Sequence, residues 1–245
     1  LSTSTPGNYI ITNTIAATTS CPIATATFAI TITAAPIATF SYAGTPYCIS
    51  GSNPTPTFTG SGVAGTFTST AGLIINSSTG VINLATSTPG NYTVTNTIAA
   101  ANGCAQVQST AQVTITAVPV ATFSYNSAIY CKTGANPVIT LNGSAGVFTS
   151  TSGLSLNSST GAIDLSLSTA GNYTITNTIA AAGGCSSVTA TFAITITAPQ
   201  IATFSYPGSP YCKTATNPNP VFSGGGVAGT FTSTTGLSIN ATTGA

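Results

Sequence analysis

Apolar and polar side chains alternate along most of this chain, which is the pattern of half-buried β-strands. In residues 91–99, Tyr92, Val94 and Ile98 fall on one face, and threonines occupy the other. Residue types that favour strands, such as Thr, Val, Ile, Phe and Tyr, recur throughout the chain. No segment has a convincing helical periodicity, so the pattern predicts an all-β fold.

Short strands, separated by turns that contain Gly or Pro, can be followed through one stretch of the chain. They are predicted at residues 37–42, 47–49, 55–59, 65–69, 73–75, 81–84, 91–99 and 104–116. Seven or eight such strands with regular turns indicate an antiparallel sandwich of two sheets, as in immunoglobulin-like (Ig-like) domains.

The same strings return at a fixed spacing. Ala-Thr-Phe-Ser-Tyr begins at Ala38, Ala121 and Ala202, Gly-Asn-Tyr at Gly7, Gly90 and Gly171, and Tyr-Cys at Tyr47, Tyr130 and Tyr211. Internal repeats of this kind define the architecture, and here the period is about 82 residues. The sequence therefore predicts tandem Ig-like β-sandwiches arranged as a linear rod or filament.

The repeat divides the chain into four segments. Residues 35–117 and 118–198 are whole modules, residues 1–34 are the C-terminal half of a module, and residues 199–245 are the N-terminal half of another. Short links that contain Pro join them, and Pro restricts the backbone. We expect stiff links, and we expect each half module to be completed by a neighbouring subunit, head to tail, or by further chain.

Six cysteines recur in step with the repeat, which favours disulfides and an extracellular location. Two pairings are open: Cys48–Cys104 with Cys131–Cys185, inside each repeat, or Cys21–Cys48 with Cys104–Cys131, across repeat boundaries. We favour the first, because a bridge inside a small sandwich stabilises that sandwich directly. Cys21 and Cys212, one on each half module, are expected to form an inter-subunit or next-repeat disulfide.

Three tyrosines follow a glycine at the start of a long strand, namely Tyr9, Tyr92 and Tyr173. This is the position of the tyrosine corner in Ig-like sandwiches, in which the hydroxyl bonds back to the main chain. We predict that all three are tyrosine corners.

Charged side chains are almost absent, with two Lys or Arg, one acidic residue and no His. Acid–base catalysis, metal sites and phosphate recognition all need such groups in number. We therefore expect no enzyme activity, no catalytic residue, no cofactor, no metal and no nucleic-acid partner. No run of 18 apolar residues occurs, so we also expect no membrane span.

Rows of threonine line one face of several strands, for example Thr27, Thr31 and Thr33 between Phe28 and Ile32. Three interpretations are open: exposed strand residues of good propensity, a lateral contact between rods, or an ice-binding plane. A surface with little charge favours association, which motivates the lateral contact.

Five strings together resemble the tandem Ig-like repeats of giant Bacteroidota extracellular surface proteins. They are Ala-Thr-Phe-Ser-Tyr at Ala202, Tyr-Cys-Lys at Tyr211, Gly-Leu-Ser-Ile-Asn at Gly236, Pro-Gly-Asn-Tyr-Thr-Val-Thr at Pro89 and Gly-Gly-Cys at Gly183. The resemblance implies an adhesin or filament at the cell surface, exported by the type IX pathway.

Together these features predict a structural subunit or segment of an extracellular filament, whose partners are copies of itself. The alternative is an adhesin stalk whose modules bind surface glycans directly. The absence of Trp weakens that alternative, because aromatic stacking is a common way to hold a sugar ring.

Overall fold

The computed structural model describes residues 2–245, which form β-strands, turns and one short 3₁₀ helix. Leu1, the first residue of the N-terminal half module, lies outside the described residues. The described chain divides into two compact units, one of residues 2–120 with Ile179–Val188 and one of Ala121–Thr178 with Thr189–Ala245. In residues 2–245 no helix is long and apolar enough to cross a membrane.

The strands follow the repeat. The N-terminal segment and the first whole repeat contain β1 (Gly7–Ile15), β2 (Ala24–Ile32), β3 (Phe40–Ser41), β4 (Tyr47–Cys48), β5 (Thr57–Phe58), β6 (Thr66–Ser69), β7 (Gly90–Ile98) and β8 (Val107–Thr116), with a 3₁₀ helix at Leu84–Thr86. The rest of the chain contains β9 (Phe123–Tyr125), β10 (Ile129–Cys131), β11 (Ile139–Leu141), β12 (Val147–Ser150), β13 (Ser155–Leu156), β14 (Ile163–Asp164), β15 (Gly171–Ile179), β16 (Val188–Thr197), β17 (Phe204–Ser205) and β18 (Val221–Phe222).

Each whole repeat has one four-stranded sheet and smaller sheets beside it. The large sheets have the orders β4-β8-β7-β6 and β10-β16-β15-β12, and the small ones pair β3 with β5, β9 with β11 and β13 with β14. This confirms the all-β sandwich fold. One feature departs from a purely antiparallel arrangement, since β4 runs parallel to β8 and β10 runs parallel to β16. The chain changes sheets at the turn before each of these edge strands, so it enters alongside the last strand.

A separate core lies in each whole repeat, built largely from equivalent residues. The first core contains Phe40, Tyr42, Phe67, Leu73, Ile82, Leu84, Tyr92, Val94, Val113 and Ile115. The second contains Phe123, Tyr125, Tyr130, Phe148, Ile163, Leu165, Tyr173, Ile175, Ile194 and Ile196. In the first core the rings of Phe40 and Phe67 meet edge to face, with centroids 5.4 Å apart, a geometry that aromatic pairs favour. The division of the sequence into four segments stays a prediction.

Several predicted strands are shorter than the sequence pattern suggested. Residues 73–84 form only one isolated bridge, between Ile75 and Ile82, before the 3₁₀ helix. A buried serine takes the place of ladder bonds there, because Ser87 Oγ accepts from the Ile74 N–H at 2.9 Å and donates to Asn83 O at 2.7 Å. A side chain thus satisfies backbone groups that a longer strand would have paired.

Candidate functional site: the junction between repeats

One disulfide links two successive repeats. Cys48 of the first whole repeat bonds to Cys185 of the second, 137 residues later in the chain, with the Cα atoms 4.7 Å apart. Both cysteines belong to the first compact unit, because the turn between β15 and β16 is part of that unit.

Neither predicted pairing agrees with this bond. The within-repeat bonds Cys48–Cys104 and Cys131–Cys185 do not form, nor do the cross-boundary bonds Cys21–Cys48 and Cys104–Cys131. In the described chain the other four cysteines form no disulfide, namely Cys21, Cys104, Cys131 and Cys212. The Cys21–Cys212 bond between subunits stays a prediction.

Strand geometry explains why the within-repeat bridge fails. Cys48 lies opposite Thr116, at the end of β8, whereas Cys104 precedes the start of β8 at Val107. At about 3.4 Å per residue, a strand of this length separates its ends by about 30 Å. A disulfide needs Cα atoms less than about 7 Å apart. The two cysteines of one repeat therefore lie at opposite ends of the same ladder.

The turn that carries Cys185 is seated on the end of β8. The Thr116 hydroxyl contacts the backbone oxygen of Gly183 and lies 3.6 Å from Cys185 Sγ. Cys185 Sγ is also 3.4 Å from Ala117 O, in the link that follows β8. The junction therefore consists of one threonine, one tight turn and one disulfide.

Gly184 sits at the closest point of the junction. Its backbone is left-handed, at φ +77°, and a Cβ atom there would lie 2.3 Å from Pro46 O. The equivalent Gly103 has φ +80° but nothing within 4 Å of such an atom. Only glycine satisfies both the conformation and the contact at position 184.

This pair supplies a matched test of the junction. Both Gly184→Ala and Gly103→Ala place an alanine in the left-handed backbone region, at the same energetic cost. Only the first also brings a Cβ atom against Pro46 O. We expect Gly184→Ala to cost about 1–3 kcal/mol more than Gly103→Ala, which is the usual cost of overpacking. Thermal unfolding of the dilute chain measures the difference, and equal losses would contradict the contact.

The same seat recurs where the N-terminal segment meets the first repeat. Thr33 Oγ1 donates to Asn102 O at 2.9 Å and lies 3.4 Å from Cys104 Sγ. The Cys104 thiol contacts Ala34 O at 3.7 Å. The turn of Cys104 is thus seated on β2 as the turn of Cys185 is seated on β8, but without a disulfide.

One buried asparagine in each whole repeat, Asn96 or Asn177, bonds the long strand to the segments beside it. The sequence pattern did not predict either residue. Asn96 Nδ2 donates to Ala38 O at 3.0 Å and to Val63 O at 2.9 Å, while its Oδ1 accepts from the Gly65 N–H at 2.8 Å. Asn177 makes the equivalent three bonds in the second repeat. The available signal was that Asn96 shares the inward face of β7 with Tyr92 and Val94.

The three predicted tyrosine corners each make a bond back to the main chain. Tyr92 donates to Thr88 O at 2.7 Å, Tyr173 to Thr169 O at 2.8 Å and Tyr9 to Thr5 O at 2.7 Å. In every case the acceptor lies four residues upstream, just before the strand begins. The bond anchors the start of the long strand.

Other buried tyrosines close the hairpin turns of the repeats. Tyr125 donates to Gly161 O at 2.5 Å, and Tyr42 makes the same bond to Gly80 O. Burial raises the pKa of Tyr125 to about 12, and the nearby Tyr130 adds to the rise. Burial also raises the pKa of Tyr42, so both hydroxyls stay protonated donors.

Charged chemistry is sparse in the described residues. Asp164 is half-buried, and a hydrogen bond from the Ser166 hydroxyl at 2.6 Å helps to hold the pKa of its carboxyl below the ordinary value. Residues 2–245 contain no group of three or more His, Cys, Asp or Glu that could hold a metal ion.

Both half modules leave core positions uncovered. On β1, Ile11 is 54% exposed, whereas its equivalent Val94 is 0% exposed. In residues 199–245, Leu237 is 67% exposed, whereas its equivalent Leu73 is 5% exposed. β1 and β2, the counterparts of β7 and β8, pair with each other, and β17 and β18, the counterparts of β3 and β5, pair with each other.

No protein-family model matches the chain, and no curated protein matches it. Solved structures that align with it include mouse cadherin-23 EC22-24, at 11% identity over 78% of this chain and 74% of that one, with TM-score 0.33. The protocadherin gammaB4 extracellular domain aligns at 14% identity over 97% of this chain and 48% of that one, with TM-score 0.43. A SusE-like surface located polysaccharide binding protein from the Bacteroides thetaiotaomicron heparin utilisation locus aligns at 17% identity, over 70% of this chain and 36% of that one, with TM-score 0.28. At these identities and TM-scores the likeness carries no inference about function.

Proposed function

We propose that the chain is a structural segment of an extracellular filament built from disulfide-linked Ig-like modules. In this filament, residues 199–245 of one copy and residues 1–34 of the next copy fold together as one shared module. The observation that carries the proposal is that Ile11 and Leu237 are exposed, whereas their equivalents in the first whole repeat, Val94 and Leu73, are buried in one core.

The aromatic cluster of the C-terminal half supports this arrangement. Phe204 and Phe231 meet edge to face with centroids 5.5 Å apart, as Phe40 and Phe67 do at 5.4 Å in the first whole repeat. In that whole repeat, Val94 of β7 belongs to the same core. The equivalent strands in the shared module are β1 and β2, which a second copy supplies.

Asn13 of β1 would fix how residues 1–34 align with residues 199–245 of the neighbouring copy. It is exposed, and it holds the position of the fully buried Asn96 in β7. The groups equivalent to the three partners of Asn96 are Ala202 O, Val227 O and the Gly229 N–H. In a shared module, Asn13 would bond to these three groups of the neighbouring copy.

The energetic balance permits association. Full burial of an isoleucine or leucine side chain contributes about 1.5–3 kcal/mol, so covering Ile11 and Leu237 together with their neighbours yields a sum comparable with the cost of joining two molecules. The chain carries a net charge of only +1, so copies repel one another weakly.

Contacts of this kind generate a filament because the two joined surfaces are different. A head-to-tail interface that does not close into a ring continues indefinitely. The disulfide supports an extracellular location, since such bonds persist in oxidising compartments. The resemblance to giant Bacteroidota surface proteins, and with it type IX export, rests on the sequence motifs.

A substitution on one face of β1 tests the shared module. Asn13→Ala removes three bonds between copies and is expected to weaken assembly at least tenfold in concentration, since each neutral hydrogen bond contributes about 1 kcal/mol. Asn8→Ala is the control, because Asn8 lies on the opposite face, where it accepts from Thr31 Oγ1 at 2.8 Å. Sedimentation velocity across a concentration series gives the comparison. Identical assembly by the two variants, or a wild-type chain that stays monomeric at high concentration, would refute the proposal.

The alternative function, direct binding of surface glycans by the modules, stays a prediction of the sequence. Glycan-array binding by the same chain tests it.

A further inference from the structure

We infer that every junction between successive repeats is closed by the same cross-repeat disulfide, so that Cys131 of one copy bonds to Cys21 of the next, and Cys212 bonds to Cys104 of that next copy. The inference rests on the proposed shared module for its order of repeats. It replaces the Cys21–Cys212 bond predicted from the sequence.

The observed bond defines the rule. Cys48 stands on the edge strand of one repeat, and Cys185 stands in the turn between the two long strands of the following repeat. Cys131 lies on the edge strand of its repeat, and Cys212 holds the equivalent sequence position in the C-terminal half, while Cys21 and Cys104 hold the position of the turn cysteine. By this rule, each edge-strand cysteine forms a disulfide with the turn cysteine of the repeat that follows it.

The turn of Cys104 is already in the bonding position. Its contacts with Thr33 and Ala34, at 3.4 Å and 3.7 Å from the sulfur, match those of Cys185 with Thr116 and Ala117, at 3.6 Å and 3.4 Å. The part that is absent is the edge strand that would lie beside Thr33. In the shared module that strand belongs to the preceding copy, and its cysteine is Cys212.

Cys131 occupies the complementary position at the other side of a junction. It lies opposite Thr197 in the β10–β16 ladder, as Cys48 lies opposite Thr116 in the β4–β8 ladder. The hydroxyl of Thr197 contacts Tyr130 O at 3.2 Å, and that of Thr116 contacts Tyr47 O at 3.2 Å. The end of β16 at Thr197 therefore has the geometry that binds a turn of the following repeat. In the shared module, that turn is the one that contains Cys21.

Gly103 would face the same steric requirement for glycine if a neighbouring copy were bonded at this turn. Its equivalent Gly184 admits no Cβ atom because Pro46 O is 2.3 Å away, while Gly103 has open space around it. The residue equivalent to Pro46 in the C-terminal half is Pro210. Bonding of Cys212 to Cys104 would bring Pro210 of the preceding copy to Gly103.

The Cys21–Cys212 bond fails for the reason that excluded Cys48–Cys104. Both cysteines would belong to the one shared module, Cys212 on its edge strand and Cys21 in its turn. These positions lie at opposite ends of the long strands, about 30 Å apart at the usual rise per residue.

Bond formation is a two-electron oxidation and needs an acceptor, for which a small-molecule disulfide serves. A thiolate of one copy attacks that disulfide, releases one thiol and forms a mixed disulfide. The thiol of the second copy, as thiolate, then displaces the other half. Overall, two protein thiols and one disulfide give one protein disulfide and two small thiols.

The edge-strand thiols are prepared for this attack. Cys131 Sγ lies 3.3 Å from Thr133 Oγ1, and Cys212 Sγ lies 3.1 Å from Thr214 Oγ1. These hydrogen bonds lower the pKa of both thiols below the ordinary value because they stabilise the thiolate. The thiolate is the reactive form.

Isotope-mixed peptide mapping tests the inference. Heavy and light preparations of the whole chain are mixed under reducing conditions, concentrated, oxidised with glutathione disulfide, blocked with N-ethylmaleimide and digested with chymotrypsin without reduction. We expect heavy–light peptides that join Cys131 to Cys21 and Cys212 to Cys104. The Cys131→Ser variant should lose the first and keep the second.

The outcomes separate this inference from the proposed function. Filaments that assemble under these oxidising conditions without either heavy–light peptide would overturn the inference and leave the shared module standing. Heavy–light peptides joining Cys21 to Cys212 would also overturn the inference. Chains that neither assemble nor cross-link would overturn both.

Discussion

Replacing Cys185 with Ser is expected to lower the free energy of unfolding of the first compact unit by about 4–5 kcal/mol. The bond closes a loop of 137 residues, and the chain-entropy account assigns a loop of that length about 5 kcal/mol through the unfolded state. Urea denaturation of the dilute chain, followed by tyrosine fluorescence, measures the loss.

The Cys104→Ser variant is the matched control, because Cys104 occupies the equivalent turn and is not bonded in the described chain. We expect its effect to stay within about 0.5 kcal/mol, because the serine hydroxyl can keep the polar contacts of the thiol with Thr33 and Ala34. Dithiothreitol should reproduce the Cys185→Ser loss in the wild-type chain. Equal stability of the two variants would show that the cross-repeat bond adds nothing.

Asn96→Ala is expected to destabilise its repeat by at least about 3 kcal/mol. Asn96 is fully buried, and its amide satisfies Ala38 O, Val63 O and the Gly65 N–H. Alanine leaves the buried Ala38 O and the part-buried Val63 O and Gly65 N–H without this partner, and each unsatisfied group costs about 1–3 kcal/mol where water cannot replace the amide. Differential scanning calorimetry gives the loss.

Asn91→Ala serves as its control on the same strand. Asn91 lies on the exposed face of β7, where its Oδ1 accepts one hydrogen bond from Thr114 Oγ1 at 2.7 Å. We expect a loss of about 0.5 kcal/mol or less there, since water replaces an exposed partner. A loss at Asn91 as large as the loss at Asn96 would mean that the inward amide does not join the sheets.

The alternating pattern predicted the strands that matter most for the fold. Residues 91–99 correspond to β7, and the inward Tyr92 and Val94 are both buried. Alternation succeeds here because a strand packed on one face sends successive side chains to opposite sides. The shorter strands were overestimated, because side chains such as Ser87 satisfy the backbone where a ladder was expected.

The candidate site was harder to predict from sequence. The spacing of the cysteines identified Cys48 and Cys185 as disulfide-forming residues but not as partners of each other, because a bridge inside each small sandwich was expected to stabilise it most. Cys48 and Cys104 are separated by the length of β8, whereas the turn of Cys185 comes back to Cys48 from the following repeat. Asn96 did not stand out because the pattern was followed through the apolar residues of β7, and its buried amide lies on the same face as Tyr92 and Val94.

The cross-repeat disulfide stabilises the contact between repeats, not the interior of any one repeat. Each whole repeat has its own hydrophobic core, yet the one disulfide of the described chain stabilises the seat between repeats and leaves the sandwich interiors without a bridge. Covalent stabilisation therefore lies where one repeat follows another. This is the place that a filament has to strengthen.

Negative-stain electron microscopy of the oxidised, concentrated chain tests the filament most directly. The account predicts unbranched filaments that grow longer with concentration and are shortened by Asn13→Ala. Separate particles of single-chain size under the same conditions, with the Cys48–Cys185 bond intact, would contradict it.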